Sequence, residues 1–175
     1  MPDTITAMGT WTFRNCSNLK KITFSKNLYS IGQNAFFYCT SLEEVVIPEG
    51  VGLIEDSAFS YCYDLASVSL PGSLRQIGSR AFDHCESLKE IVIPDGVEFI
   101  VSGAFSGCAN LKRIELPASL GSMGEGVFSG CTKLREIAVA AGNTSFATEN
   151  GVLYNGDKTS LCCVPLGLGY TSYTV

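Results

Sequence analysis

Eight cysteines and one histidine are the residues of this 175-residue sequence whose side chains could most readily do chemistry. Thiolates form disulfides, bind zinc or act as nucleophiles, and histidine acts as a base or a metal ligand. Two cysteines, Cys162 and Cys163, are adjacent, and His84 directly precedes another, Cys85. The other six recur every 23 residues, at Cys16, Cys39, Cys62, Cys85, Cys108 and Cys131.

This spacing argues against a metal site and against catalysis. Structural zinc sites cluster their ligands, often as Cys-x-x-Cys with histidines nearby, whereas these cysteines are widely spaced. A catalytic triad needs a histidine base, and His84 is interpreted as a surface residue next to a cysteine that should be buried. No segment resembles a nucleophile elbow or a phosphate-binding loop. We therefore predict no enzyme activity, no catalytic residue, no metal and no cofactor.

Disulfides between the periodic cysteines are also disfavoured. If successive repeats stack in parallel, their Cα atoms lie about 5 Å apart, which is within disulfide range. Their Cβ vectors, however, point in the same direction rather than at each other. We expect these six cysteines to be free, buried thiols that act as small hydrophobic residues. If Cys162 and Cys163 lie in a strand, their side chains face opposite sides, and one of them could be exposed. Whether these two cysteines are free and buried is therefore left open.

The same 23-residue period organises most of the chain. Phenylalanine recurs at 13, 36, 59, 82, 105 and 128, and leucine recurs at 19, 42, 65, 88, 111 and 134. A fixed period of this length with a Leu-x-x-Ile-x-Ile core is typical of a leucine-rich-repeat solenoid, in which each unit buries its apolar side against its neighbours. We predict about six such repeats.

Each repeat is predicted to contain a strand and a short helical turn. In residues 44–47 apolar and exposed positions alternate, which indicates a strand with one buried face, and Pro48 marks its end. The apolar residues Ala35, Phe36 and Cys39 are spaced as on one side of a helical turn. The predicted class is therefore α/β, with a parallel sheet on one face and helical turns on the other. Gly32, Gly78 and Gly124 are interpreted as residues that turn the backbone.

The repeat pattern resembles a known family. The consensus Ile-Gly-x-x-Ala-Phe-x-x-Cys-x-x-Leu-x-x-Ile-x-Ile-Pro-x-x-Val is similar to the BspA-type (Treponema-type) leucine-rich repeat and covers residues 1–140. The resemblance implies a right-handed, curved solenoid. It also implies a cell-surface or secreted location, and adhesion to host or neighbouring-cell proteins.

The chain divides into two predicted regions. Residues 1–140 form the solenoid, which starts in the middle of a repeat. Residues 141–175 form a hairpin cap or insert, because two β-prone runs, 151–154 and 161–164, flank an Asn-Gly turn at 155–158. We expect this hairpin to cover the last regular repeat. The pattern of residues 170–175 predicts a strand that leads toward a further repeat. We therefore expect the chain to be a monomeric segment of a longer protein. The alternative is that a partner protein covers each end of the solenoid.

Composition excludes two classes of partner. The formal net charge is −5, with 17 acidic against 12 basic residues. A nucleic-acid-binding protein needs a basic stripe, so nucleic acid is not an expected partner. No apolar run approaches the ~18 residues of a membrane span, so we expect no membrane insertion of this segment. The first residues also lack the features of a signal peptide.

Two exposed surfaces are candidates for binding a protein ligand. The first is the sheet face, made of the outward-pointing residues of successive strands: Glu44, Val46, Ser67, Ser69, Glu90, Val92, Arg113 and Glu115. The second is the aromatic patch on the predicted helical side: Phe37, Tyr38, Tyr61 and Tyr63. Clustered exposed aromatic residues are common interaction anchors, although these rings could instead cover the edges of the core. The predicted function is protein recognition, and the alternative is a structural spacer with no ligand of its own.

Overall fold

The computed structural model describes residues 1–172. Its strands, in chain order, are β1 (Ser30–Ile31), β2 (Glu44–Val46), β3 (Leu53–Ile54), β4 (Ser67–Ser69), β5 (Gln76–Ile77), β6 (Glu90–Val92), β7 (Phe99–Ile100), β8 (Arg113–Leu116), β9 (Ser122–Met123), β10 (Glu136–Val139), β11 (Phe146–Glu149), β12 (Val152–Asn155) and β13 (Leu161–Cys163). A 3₁₀ turn spans Leu166–Leu168. No strand forms at 170–172, and the rest of the strand predicted over 170–175 lies outside the described residues.

The chain winds into a parallel β-solenoid of about five turns with a 23-residue spacing. The even-numbered strands β2 to β10 are the predicted strands. In β2, β6, β8 and β10 an inward residue is buried, as Val45 is between Glu44 and Val46, whereas Val68 of β4 is only partly buried. The odd-numbered strands β1 to β9 form a second, five-stranded parallel sheet. The sequence did not predict this second sheet, because a strand of two residues is too short to show alternation.

The predicted helical turns are wrong: apart from the 3₁₀ turn, the described residues form no helix. Between the two sheets each repeat instead makes two successive tight turns. In each of these turn segments, the first residue and the residue four positions later have φ between 52° and 74°. These left-handed positions are Trp11, Asn34, Ser57, Arg80, Gly103 and Gly126 in one column and Asn15, Tyr38, Tyr61, His84, Gly107 and Gly130 in the other. Left-handed residues interrupt the i to i−4 hydrogen bonding that an α-helix needs.

The freed backbone groups of this turn segment bond to the neighbouring repeat. The N–H groups of Asn34, Phe36 and Tyr38 donate to carbonyl oxygens of the next turn at 2.9, 2.7 and 3.0 Å. The N–H groups between them close the tight turns, as Phe37 does on the Asn34 carbonyl. The third side of the solenoid is therefore a hydrogen-bonded ladder of turns, which satisfies backbone groups that helices would satisfy internally.

The core is a stack of identical side chains. Phe36, Phe59, Phe82 and Phe105 are fully buried, and successive rings lie parallel with centroids 5.0 to 5.5 Å apart. All eight cysteines are free, and five of the six periodic ones are buried. Cys16 is exposed, contrary to the prediction, because it belongs to the first turn segment and no earlier segment lies on it.

Three glycines of the repeat are required by close packing, and the prediction that they turn the backbone is wrong. Gly32, Gly78 and Gly124 do not have positive φ. A Cβ on Gly78 would lie 2.7 Å from the carbonyl carbon of Glu55, and one on Gly124 would meet the backbone nitrogen of Ser102. Each glycine thus allows two turns to approach more closely than a side chain would permit.

The two β-prone runs of the tail form antiparallel strands β12 and β13, as predicted, and β11, which the sequence did not predict, pairs on the other side of β12. Phe146, Val152 and Leu153 are buried, so the three-stranded sheet packs on the core. The N–H of Gly167 donates to the carbonyl of Leu134 at 2.7 Å and ties the 3₁₀ turn to the last regular repeat.

Candidate protein-binding surfaces

All eight residues predicted for the sheet face are exposed. Their strands pair in register, with Glu44 opposite Ser67, Val46 opposite Ser69, Glu90 opposite Arg113 and Val92 opposite Glu115. Val46 is 57% exposed and Val92 is 81% exposed. The alternation of each strand fixes this outcome, because the neighbouring residues Val45 and Ile91 point into the core.

The sheet face is not one continuous ladder. β2 pairs with β4, and β6, β8 and β10 form a separate three-stranded sheet. Val68 on β4 is partly exposed, unlike its equivalents Val45 and Ile91. Leu70 is also partly exposed, unlike its equivalents Ile47 and Ile93. The ladder of paired strands is therefore interrupted between β4 and β6, although Ser69 and Val92 on either side are both exposed. The periodic sequence did not predict this interruption.

A depression lies on each side of this interruption. One, of about 350 Å³, is lined by residues around Val46, including Lys21 and Glu44. The other, of about 440 Å³, is lined by residues 90–95 together with Arg113, Glu115 and Pro117. Each depression combines an exposed valine with charged side chains, and this combination can receive an apolar anchor and orient polar groups of a partner.

Ion pairs arrange the charges of the sheet face. The Arg113 guanidinium lies 3.1 Å from the Glu136 carboxylate and 3.6 Å from that of Glu115. The Lys21 ammonium lies 3.7 Å from Glu44. All these groups are exposed, so the pairs add at most about 1 kcal/mol each to stability. Their main effect is to hold opposite charges at fixed places on an accessible surface.

The structure brings the aromatic patch together as predicted from its columns. The rings of Tyr38 and Tyr61 stack with centroids 4.6 Å apart, and Phe37 and Tyr63 contact both rings edge-on. His84 extends the stack, with its ring 4.9 Å from that of Tyr61. Tyr38 is 38% exposed and the other three members of the patch are half-buried. The rings therefore partly cover one another.

Two features of the aromatic patch could not be predicted from the repeat pattern. Tyr38 and Tyr61 have left-handed backbone conformations, which cost a bulky residue about 1 kcal/mol or more. Ring stacking returns about 0.5 to 1.5 kcal/mol per pair, so the packing offsets much of this strain. The guanidinium of Arg14 also lies over the rings of Trp11 and Phe37, at 4.8 and 5.8 Å, and adds a cation to the patch.

His84 contacts Asp83 rather than a nucleophile. Its Nδ1 lies 3.0 Å from Oδ1 of Asp83, whose side chain is buried and also accepts a hydrogen bond from the hydroxyl of Ser60 at 3.4 Å. Within residues 1–172 no group of three or more acidic, histidine or cysteine side chains is placed to hold a metal ion. No helix in that range has the length and hydrophobicity needed to cross a bilayer.

Comparison with known proteins gives consistent matches. The family model described as "BspA type Leucine rich repeat region" matches residues 1–66 and 52–155, in six copies. The crystal structure of a leucine rich cell surface protein from Faecalibacterium prausnitzii superposes with a TM-score of 0.84 at 32% identity, covering 94% of this chain and 44% of that chain. No curated protein matches the sequence.

Two further solved structures are similar. The leucine rich repeat protein of T. pallidum gives a TM-score of 0.75 at 36% identity, covering 77% of this chain and 63% of that chain. The pneumococcal vaccine antigen PcpA gives 0.61 at 30% identity, covering 98% and 37%. This chain therefore spans less than two thirds of the length of each of these three proteins.

Proposed function

Because the chain belongs to the BspA-type leucine-rich-repeat family, we propose that it is a protein-recognition module of a cell-surface or secreted protein and that its sheet face binds the partner. Leucine-rich-repeat proteins generally mediate protein–protein interactions. One similar protein is described as a cell surface protein and another as a vaccine antigen, which supports display at a bacterial surface. Adhesion to host or neighbouring-cell proteins is the role that fits such display.

The observation that carries this proposal is the exposure of Val92, at 81%, at the end of strand β6, which pairs in register with β8. An apolar side chain this exposed contributes little to the core, and it lies beside a depression with Arg113 and Glu115 in its wall. An interface needs an apolar anchor surrounded by polar groups that fix its orientation. The sheet face supplies both on one surface.

The charges of the sheet face also define the partner. Glu44, Glu90, Glu115 and Glu136 outnumber Arg113 and Lys21 on this surface. A partner with lysine or arginine side chains around an apolar residue would complement it. Binding should therefore weaken as the salt concentration rises, because exposed charge pairs are screened.

The test is a pull-down or protein array with extracellular-matrix and cell-surface proteins. The variant Glu90→Lys, Val92→Lys, Arg113→Glu should weaken capture at least about tenfold while the melting temperature stays close to that of the parent, because all three side chains are exposed. The double substitution Tyr38→Ser, Tyr61→Ser is the matched variant on the aromatic patch.

The outcomes separate the alternatives. If the tyrosine pair abolishes binding and the sheet-face variant binds normally, the aromatic patch is the anchor and the sheet-face proposal is wrong. If the parent chain captures nothing from such a panel, these repeats act as a spacer that displays other parts of a longer protein. Both variants must retain the cooperative unfolding of the parent for either result to count.

A further inference from the structure

The hydrogen-bonded ladder of turns has an open end. In each of the first five turn segments, three alternate N–H groups donate hydrogen bonds to carbonyl oxygens of the next segment. In the fifth segment the donors are Gly103, Phe105 and Gly107, with N to O distances of 2.9, 3.0 and 2.7 Å. The corresponding residues of the sixth segment are Gly126, Phe128 and Gly130. Among residues 1–172 their N–H groups have no acceptor. A complete ladder thus ends in three donors that point away from the preceding turn.

The tail is the reason for this open end. In every earlier turn the first acceptor lies 22 residues after its donor, so residues 148, 150 and 152 would follow Gly126, Phe128 and Gly130. Thr148 and Val152 instead pair with Leu153 and Glu149 in the antiparallel sheet of β11 and β12. The tail sheet packs on the core but supplies no carbonyl to the sixth turn segment.

A groove of about 510 Å³ lies beside the three free donors. Residues 123–130 form one wall, and β13 with Val164 and Leu166 forms the other; Phe128 and Phe146 also line it. Leu161 and Leu166, on the tail side, are 46% and 56% exposed. Exposed leucines around a groove are typical of a surface that a partner covers.

We propose that this groove binds one polypeptide turn of the repeat type, supplied by a separate protein. The ligand must present three alternate carbonyl groups in the spacing of a tight-turn segment, which an ordinary extended strand does not reproduce. A segment such as residues 125–130 meets this condition, because the carbonyls of Glu125, Val127 and Ser129 already accept from the fifth turn segment. Its two glycines, Gly126 and Gly130, adopt φ of 62° and 74° without strain. Its phenylalanine would continue the stack that ends at Phe128, 6.2 Å from Phe105.

The tail limits the ligand to a single segment. β13 and the 3₁₀ turn border the groove, and the rest of the tail sheet covers the core end of the sixth repeat. A second complete solenoid would have to displace this sheet, whereas one turn fits beside it. The site is separate from the sheet face, so either proposal can fail without the other.

The experiment uses the full chain and a synthetic peptide with the sequence of residues 122–133 carrying Cys131→Ser. Amide exchange is followed by NMR. Saturating peptide should slow exchange of the Gly126, Phe128 and Gly130 amides about tenfold, because each gains an acceptor, and should leave the already bonded Gly103, Phe105 and Gly107 amides unchanged. In a control peptide with valine at both glycine positions the left-handed conformation is strongly disfavoured, because valine is β-branched, so this peptide should give much weaker protection.

Variants of the chain test the location. Leu161→Glu and Leu166→Glu, on the groove wall, should each abolish the protection. Val92→Glu, which places the same charge at an exposed apolar residue of the sheet face, should not alter it. Equal protection by the control peptide, or unchanged protection in both leucine variants, would overturn the proposal. Protection of the same amides without peptide, accompanied by self-association in analytical ultracentrifugation, would also overturn it in favour of contact between copies.

Discussion

The thiol of Cys62 donates a hydrogen bond to the carbonyl oxygen of Phe36, 26 residues earlier, with Sγ and O 3.2 Å apart. The same contact recurs from Cys39, Cys85, Cys108 and Cys131 to Phe13, Phe59, Phe82 and Phe105, at 3.0 to 3.3 Å. Each thiol therefore points at the preceding turn's backbone and not at the next thiol. The periodic cysteines serve both as small apolar groups and as weak hydrogen-bond donors between turns.

Thiol labelling should reflect this arrangement. With iodoacetamide at pH 8, Cys16 and Cys162 should react quickly because they are exposed, and the five buried cysteines should react only on unfolding. Mass spectrometry of the labelled peptides measures this directly. A reductant should leave the melting temperature unchanged; a large drop would show that disulfides form in the protein.

Alkaline pH should destabilise the fold through these thiols. Burial raises the pKa of Cys39 from 9.0 to about 11 and that of Cys131 to about 12. The folded state thus keeps protons that the unfolded state loses. Stability is therefore fully present below about pH 9 and falls from pH 9 to about 11 through Cys39 and to about 12 through Cys131. At pH 10 the loss should be on the order of 1 kcal/mol per buried thiol.

Urea denaturation at pH 8, 9 and 10 measures this dependence. In Cys39→Ala the decline between pH 9 and 10 should be shallower than in the parent, because one titrating group is absent. Equal free energies of unfolding at pH 8 and 10 in the parent would contradict the assignment.

The phenylalanine stack should dominate core stability. Phe82 is fully buried between Phe59 and Phe105, so Phe82→Ala should lower the free energy of unfolding by roughly 3 to 5 kcal/mol. Phe99→Ala is the control, because Phe99 is 45% exposed, and it should cost less than about 1 kcal/mol. The denaturant midpoint is the measurement, and similar values for both variants would refute the role of the stack.

Close contact between turns should make Gly78 intolerant of a side chain. A Cβ there would lie 2.7 and 2.8 Å from backbone atoms of Glu55 and Asp56, so Gly78→Ala should cost about 1 to 3 kcal/mol. Gly72→Ala is the matched control, since nothing lies within 4 Å of its Cβ. Its effect should be within about 0.5 kcal/mol. Thermal unfolding of the pair decides whether packing or flexibility explains the glycine at position 78.

The aromatic patch and the sheet face were both predictable as columns outside the core. With a constant period, residues at the same position of successive repeats have the same environment. Val46 and Val92 share a column, and both are exposed. The interruption of the ladder between β4 and β6 was not predictable. It breaks the period, and it coincides with the partial exposure of Val68 and Leu70, which the repeat pattern places in buried columns.

The sequence alone determined the 23-residue turn, the buried columns of phenylalanine, leucine and cysteine, and the exposed residues of the main strands, since alternation and period specify which side chains share a face. Only the tertiary structure decided that the segment between the sheets is a ladder of tight turns. Its apolar spacing fits a helix equally well, and the choice depends on two left-handed residues per repeat, such as Asn34 and Tyr38, whose N–H groups find acceptors in the next turn. Hydrogen bonds between repeats lie more than 20 residues apart in sequence, so local pattern could not reveal them.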